Sequence, residues 1–221
     1  NIIKIMDNIL DTIKGKFEQH DLFKTPIWIS NCSDIDNTDI VSGAYKMKEQ
    51  CTSVTRYNRG GYQSTGFLPI YYYQAIYERM YPLLFTLPYK PKPFRIAMID
   101  AWFNIDGYKD NHILHHNLDE CNPQKELDVI DISGIYCAKI PENSESILNI
   151  KDPRGCAPVA NKFYKRLSYE PYEKLELDEG DLIMFPPFVE YSIDSNMSEE
   201  DRIFLSFNIK FGNSGLQIGN K

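Results

Sequence analysis

Long apolar runs, an excess of positive charge and closely spaced cysteines are all missing from this sequence, and each absence removes a class of function. No apolar run approaches the roughly 20 residues of a membrane-crossing helix, and none has the shape of a secretory signal, so no membrane association is expected. The 24 Lys and Arg residues are outnumbered by 31 Asp and Glu, giving a net charge of −7 and a pI near 5.2. Such a chain lacks a general surface for nucleic acid or anionic lipid. The five cysteines, Cys32, Cys51, Cys121, Cys137 and Cys156, are odd in number and contain no C-x-x-C pair. That spacing disfavours a zinc site and a disulfide framework and suits a reducing compartment such as the cytoplasm. The sequons at Asn31 and Asn196 then read as chance matches. Internal repeats and low-complexity segments are lacking, as is any H-x-D motif.

What remains is a chain of 221 residues, 43% hydrophobic, long enough for one full core. Ile2, Met6, Ile9, Leu10, Ile13 and Phe17 recur at helical spacing and predict an amphipathic helix over 1–20. Asp21 to Ile29 reads as an edge strand, because Pro26 cannot donate to a central ladder. A short helix is expected over 39–50, an alternating stretch over Ser53–Tyr57, a turn at Asn58–Gly61, and a second helix from Leu68 to Leu87 closed by Pro88. On that helix Tyr72, Ile76, Met80 and Leu84 share one face.

From Phe94 the pattern changes to short strands separated by turn signals, as in a β-sandwich or barrel. The expected strands are Phe94–Ile105, Asp131–Lys139, Glu145–Lys151, Leu175–Leu177, Leu182–Phe185, Val189–Ile193 and Ile203–Phe211. The chain thus divides into a helix over 1–20, a domain over 21–211 with helical support at 39–90 and a β core at 94–211, and a polar tail over 212–221. The class is mainly β, α+β.

Two runs near the C-terminus organise the rest. Gly180–Ile193 and Glu200–Ile209 read as an antiparallel pair, broken in the first run by Pro186-Pro187. Period-two alternation puts Val189, Tyr191 and Ile193 on one face. Arg202 is a lone charge at the head of an apolar strand and calls for an anion, either a protein carboxylate or a ligand. Three of the four histidines, His112, His115 and His116, fall together near Asp119 and Glu120. Imidazoles with a carboxylate at short spacing suit a divalent metal such as non-haem iron. Solvated histidines on a surface loop account for the same residues equally well.

Six pieces of the chain resemble, in order, the 2-oxoglutarate/Fe(II) oxygenases, in particular a phage- and bacteria-associated group of them. They are Gly60–Ser64, Ala101–Ile105, Ser133–Tyr136, Asp152–Arg154, Gly180–Pro186 and Arg202–Asn208, spanning roughly residues 20 to 211. The resemblance implies a double-stranded β-helix of the jelly-roll or cupin kind, with supporting N-terminal helices. It also implies Fe(II) and 2-oxoglutarate as cofactors if the chain is active, and none if it is not.

Counting forward from Trp102, the family's iron-binding motif falls on His115 and Asn117, which replaces a ligand; a shift of one residue brings in Leu114 and His116 instead. Asp119 is then a candidate carboxylate ligand, and Tyr191 stands where the distal iron-binding histidine is expected. Arg202 matches the arginine that holds 2-oxoglutarate, with Tyr136 and Ser206 as its helpers, although Phe204 departs from the family's serine. The resemblance leaves three functions open. One is a non-catalytic structural or interaction module with a protein partner, further copies of itself or a viral particle as its setting. Another is an active dioxygenase hydroxylating an unidentified substrate. The third, ranked last, is a cupin-like binder of a sugar or small acid that keeps Arg202 as an anion anchor.

Overall fold

The computed structural model describes residues 24–66, 68–80, 82, 94–120, 130–142, 144, 146–154 and 170–213. The helix expected over 1–20 lies outside them. Among the described residues, the chain opens with strand β1 (Trp28–Asn31), helix α1 (Thr38–Gln50), and the short strands β2 (Asn58–Arg59) and β3 (Tyr62–Gln63). Helix α2 (Gln74–Met80) follows. Then come β4 (Phe94–Asp106), β5 (Asn111–His115), β6 (Ile132–Lys139), β7 (Ile147–Lys151), β8 (Tyr172–Glu176), β9 (Asp181–Phe185), β10 (Tyr191–Ile193) and β11 (Arg202–Asn213).

These strands form two sheets, ordered β1-β9-β6-β11-β4-β3 and β2-β5-β10-β7-β8, with every pairing antiparallel. From β4 onward the chain winds between them, which makes the fold a double-stranded β-helix. Side-chain alternation then sorts residues by layer. On β11, Ile203, Leu205 and Phe207 pack outward with Ile40 and Ala44 of α1 and Ile76 and Met80 of α2. Phe204 faces inward with Ile135, Cys137, Ile183 and Phe185 of its own sheet and Leu148, Ile150, Tyr191 and Ile193 of the other. The first sheet is therefore buried on both faces, which is why β6 reads as an almost unbroken apolar run.

Several expectations change on folding. The two C-terminal runs are not paired with each other: β6 lies between β9 and β11. Pro186 and Pro187 end β9, and a turn closed by Val189 N–H donating to the Pro186 carbonyl (3.0 Å) carries the chain into the other sheet. The histidine-rich stretch is no surface loop; it forms β5, paired with β2 and β10, and buries His112 and His115. The second helix is shorter than its stripe within the described residues, a 3₁₀ turn at Ile70–Tyr72 followed by α2, although Tyr72, Ile76 and Met80 are buried as that stripe predicts. Leu84 lies outside the described residues. Ser53–Tyr57 forms no strand, and of the turn expected at Asn58–Gly61 the first two residues form β2 while Gly60-Gly61 joins it to β3.

Gly180 enters β9 at φ +88°, a conformation that side chains rarely adopt, and a Cβ there would lie 2.8 Å from Ser33 Cα. Its amide donates to the Cys137 carbonyl and its carbonyl accepts from Cys32, each at 2.8 Å, so the turn ties β1 and β6 together. Gly180→Ala is expected to cost about 1–3 kcal/mol, read as a lower denaturant midpoint at unchanged slope.

Candidate active site

The inward faces of β4, β5, β10 and β11 converge on a small cavity between the sheets. β5 contributes His112 and His115, and its pairing with β10 sets Tyr191 opposite His115 and Ile193 opposite His112. From β4 come Trp102 and Asn104, and β11 supplies Ser206; Gln63, Tyr57 and Asn117 complete the lining. The centre of a water molecule has only about 10 Å³ in which to move, close to the minimum that holds one water.

His115 lies at the cavity wall. Its Nδ1 donates to the Ile113 carbonyl at 2.7 Å, which leaves Nε2 as the acceptor of the neutral ring. The imidazole stacks on Tyr57 (4.1 Å between centroids, 11° between planes) and packs against Tyr191 (4.3 Å), which in turn meets Phe185 (4.9 Å). Burial pushes the His115 pKa down to about 4; the Ile113 carbonyl opposes this shift, while the nearby His112 and His116 add to it.

The remaining polar groups around the cavity are mostly neutral. Asn117 Nδ2 donates to Asn208 Oδ1 at 3.3 Å, and the same oxygen accepts from the Ser133 hydroxyl at 2.7 Å. Asn104 Nδ2 donates to the Ser206 hydroxyl at 2.9 Å, while Asn104 Oδ1 is buried without a partner among the described residues.

Beside this cavity stands a buried charge cluster. Arg202 has 0% of its side chain exposed and Asp106 1%, and the two residues are register partners on β11 and β4. Arg202 Nη2 and Nε both donate to Asp106 Oδ2, at 3.0 and 3.3 Å. The guanidinium also donates to the Asp194 carbonyl (2.8 Å) and to the Ser146 hydroxyl (3.4 Å). The second carboxylate oxygen lies 3.0 Å from His112 Nε2. Burial by itself would raise the Asp106 pKa, but His112 and Arg202 outweigh it and hold the carboxyl below its ordinary value.

The structure thus distributes the sequence candidates unevenly. His115, Tyr191 and Ser206 line one cavity together with Asn117. His116 is not part of that lining; its Nδ1 accepts from Leu118 N–H at 3.3 Å. Asp119 falls in the 3₁₀ turn Asn117–Glu120. Tyr136 is corrected as a helper of Arg202: alternation along β6 turns it to the outer face, where its hydroxyl donates to Asn37 at 2.7 Å. Sequence reasoning missed Asp106 and Asn104, although the same alternation from Trp102 places both on the inward face.

These residues do not fit an iron centre. Among the described residues no three His, Cys, Asp or Glu side chains cluster as ligands. His115 offers one nitrogen, Asn117 a neutral amide already bonded to Asn208, and Tyr191 a phenol, a poor Fe(II) donor unless ionised.

Two consequences are measurable. Asp106→Asn keeps the shape but leaves the guanidinium without its counter-charge, an expected loss of about 3–5 kcal/mol in unfolding free energy. His115 titrates below its unfolded value, so the stability that its neutral form contributes is complete above pH 6.5 and is lost as pH falls towards about 4. Thermal unfolding between pH 4 and 7 should show this decline, and His115→Phe should flatten it.

Comparison with known proteins agrees with the fold. Residues 128–208 match the family model described as "Putative 2OG-Fe(II) oxygenase". No curated protein matches the chain. Among solved structures, the viral collagen prolyl hydroxylase of Paramecium Bursaria Chlorella virus-1, in complex with 2OG, aligns with TM-score 0.53 and 10% identity over 85% of this chain and 96% of its own. A Pseudomonas putida prolyl-4-hydroxylase aligns with TM-score 0.53 and 10% identity over 93% and 98%. HygX from Streptomyces hygroscopicus, with nickel and 2-oxoglutarate bound, aligns with TM-score 0.53 and 12% identity over 86% and 84%. In sequence over residues 128–208, and in its double-stranded β-helix fold over most of its length, this chain resembles the 2OG-Fe(II) oxygenases.

Proposed function

We propose that this chain is a non-catalytic module built on the oxygenase fold, using neither Fe(II) nor 2-oxoglutarate. The observation that carries this reading is the composition of the cavity: His112 is engaged by Asp106, which leaves one imidazole, His115, among amides, phenols and a hydroxyl around space for a single water. A metal centre needs several anionic or imidazole donors free to turn towards one ion. Here the imidazole face is covered by tyrosine rings, and the amide is held in a network with Asn208 and Ser133.

With its interior filled, the domain acts through its outer surface, on a protein partner or within an assembly, including a viral particle. Leu118 and Phe188 support this setting. They are 39% and 48% exposed, on two segments joined by Asn117 N–H donating to the Pro187 carbonyl at 3.2 Å.

One observation favours the competing reading, an active dioxygenase. The Nδ1–H bond from His115 to Ile113 is the arrangement that orients a metal-binding imidazole. Anaerobic calorimetry with Fe(II) or Mn(II), with and without 2-oxoglutarate, separates the two. No binding at millimolar metal is the expected result. Tight one-to-one binding, strengthened by 2-oxoglutarate and lost in His115→Ala, would establish the oxygenase instead.

A further inference from the structure

The Asp106–Arg202–His112 cluster has the features of an occupied binding site. Arg202 directs Nε and Nη2 at one carboxylate oxygen from one side, and His112 Nε2 meets the other oxygen from the opposite sheet. The remaining guanidinium bonds, to the Asp194 carbonyl and the Ser146 hydroxyl, hold the arginine in place independently of Asp106. Space for the carboxylate is also shaped from outside the cluster: a Cβ on Gly61 would lie 2.8 Å from Asp106 Oδ1. Asn196 Nδ2 donates to the Asp106 backbone carbonyl at 2.9 Å and fixes the segment that carries the carboxylate.

We propose that Asp106 is the built-in occupant of an anion site formed by Arg202 and His112, and the residue that bars free carboxylates from it. The inference rests on the reading above that the interior is closed to a dicarboxylate cosubstrate, and it names the group that closes it. A tethered carboxylate sits at a high effective concentration, so a free carboxylate of the same chemistry cannot compete with it. Without Asp106, the donors and the space would remain while the tether would be gone.

The test removes the occupant and offers a substitute. Asp106→Ala should be destabilised and should recover saturably in sodium formate, by roughly 3–6 °C in Tm at a concentration about ten times the dissociation constant. Acetate should act similarly if the space admits its methyl group. Sodium chloride at matched ionic strength and formamide, the neutral analogue of formate, should give no comparable recovery. Neither the unaltered protein nor the double variant Asp106→Ala/Arg202→Met should respond to formate beyond the chloride control.

If Asp106→Ala does not fold alone, the readout becomes its refolding yield with formate against chloride, with the double variant as reference. No formate-specific recovery in either measurement, or equal recovery with formamide, would overturn the proposal and leave Asp106 as an ordinary structural ion-pair partner. None of these measurements involves metal. Failure here and failure of the non-catalytic reading in the calorimetric experiment are therefore distinguishable.

Discussion

A carboxylate held between a guanidinium on its own sheet and an imidazole on the facing sheet closes one side of this protein's interior. Asp106 and Arg202 are almost wholly inaccessible, and His112 reaches the same carboxylate from β5. Removing two charges from water is costly, and an apolar replacement of both is often no less stable. The cluster is better understood as a device of specificity than as a source of net stability. It fixes β4 against β11 in register, draws β5 towards them and engages the Asp194 carbonyl next to β10. Any alternative register would strand a buried charge.

Next to that cluster the interior changes from charged to neutral. Asn104, Asn117, Asn208, Ser133 and Ser206 form short amide and hydroxyl chains, and Tyr57, His115, Tyr191 and Phe185 form an aromatic run. Both arrangements fill space and satisfy one another without an ion. Within these chains Asn104 Oδ1 is a buried acceptor without a hydrogen-bond partner among the described residues, facing a space the size of one water. The fold places polar side chains from four strands around one point, and the chemistry at that point depends on which residues occupy those positions.

The outer layer explains how such substitutions leave the fold intact. The helix-facing side of the first sheet carries its own apolar cluster, with Phe103, Ile105, Leu205 and Phe207 packed against α1 and α2. None of its members lines the cavity, whereas the inter-sheet cluster around Phe185 and Phe204 shares Ile135, Tyr191 and Ile193 with it. Changes among the cavity residues therefore leave the helix-facing apolar cluster untouched.

Local pattern determined much of this protein. Alternation and turn residues marked the strands from Phe94 onward to within a few positions, β5 excepted, Pro186-Pro187 marked the break, and the Tyr72–Ile76–Met80 stripe marked a buried helical face. These are properties of neighbouring residues, set by backbone sterics and a period of 2 or 3.6. The sequence also showed that Arg202 needed an anion. Which anion was decided only by the tertiary structure, because Asp106 lies 96 residues away and becomes its neighbour through the β4–β11 ladder. The same holds for His112 and His115, whose spacing suited a metal or a loop equally until pairing with β10 buried them against Asp106 and Tyr191. Strand partners distant in sequence are chosen by the topology of the whole sheet, and no local pattern encodes them.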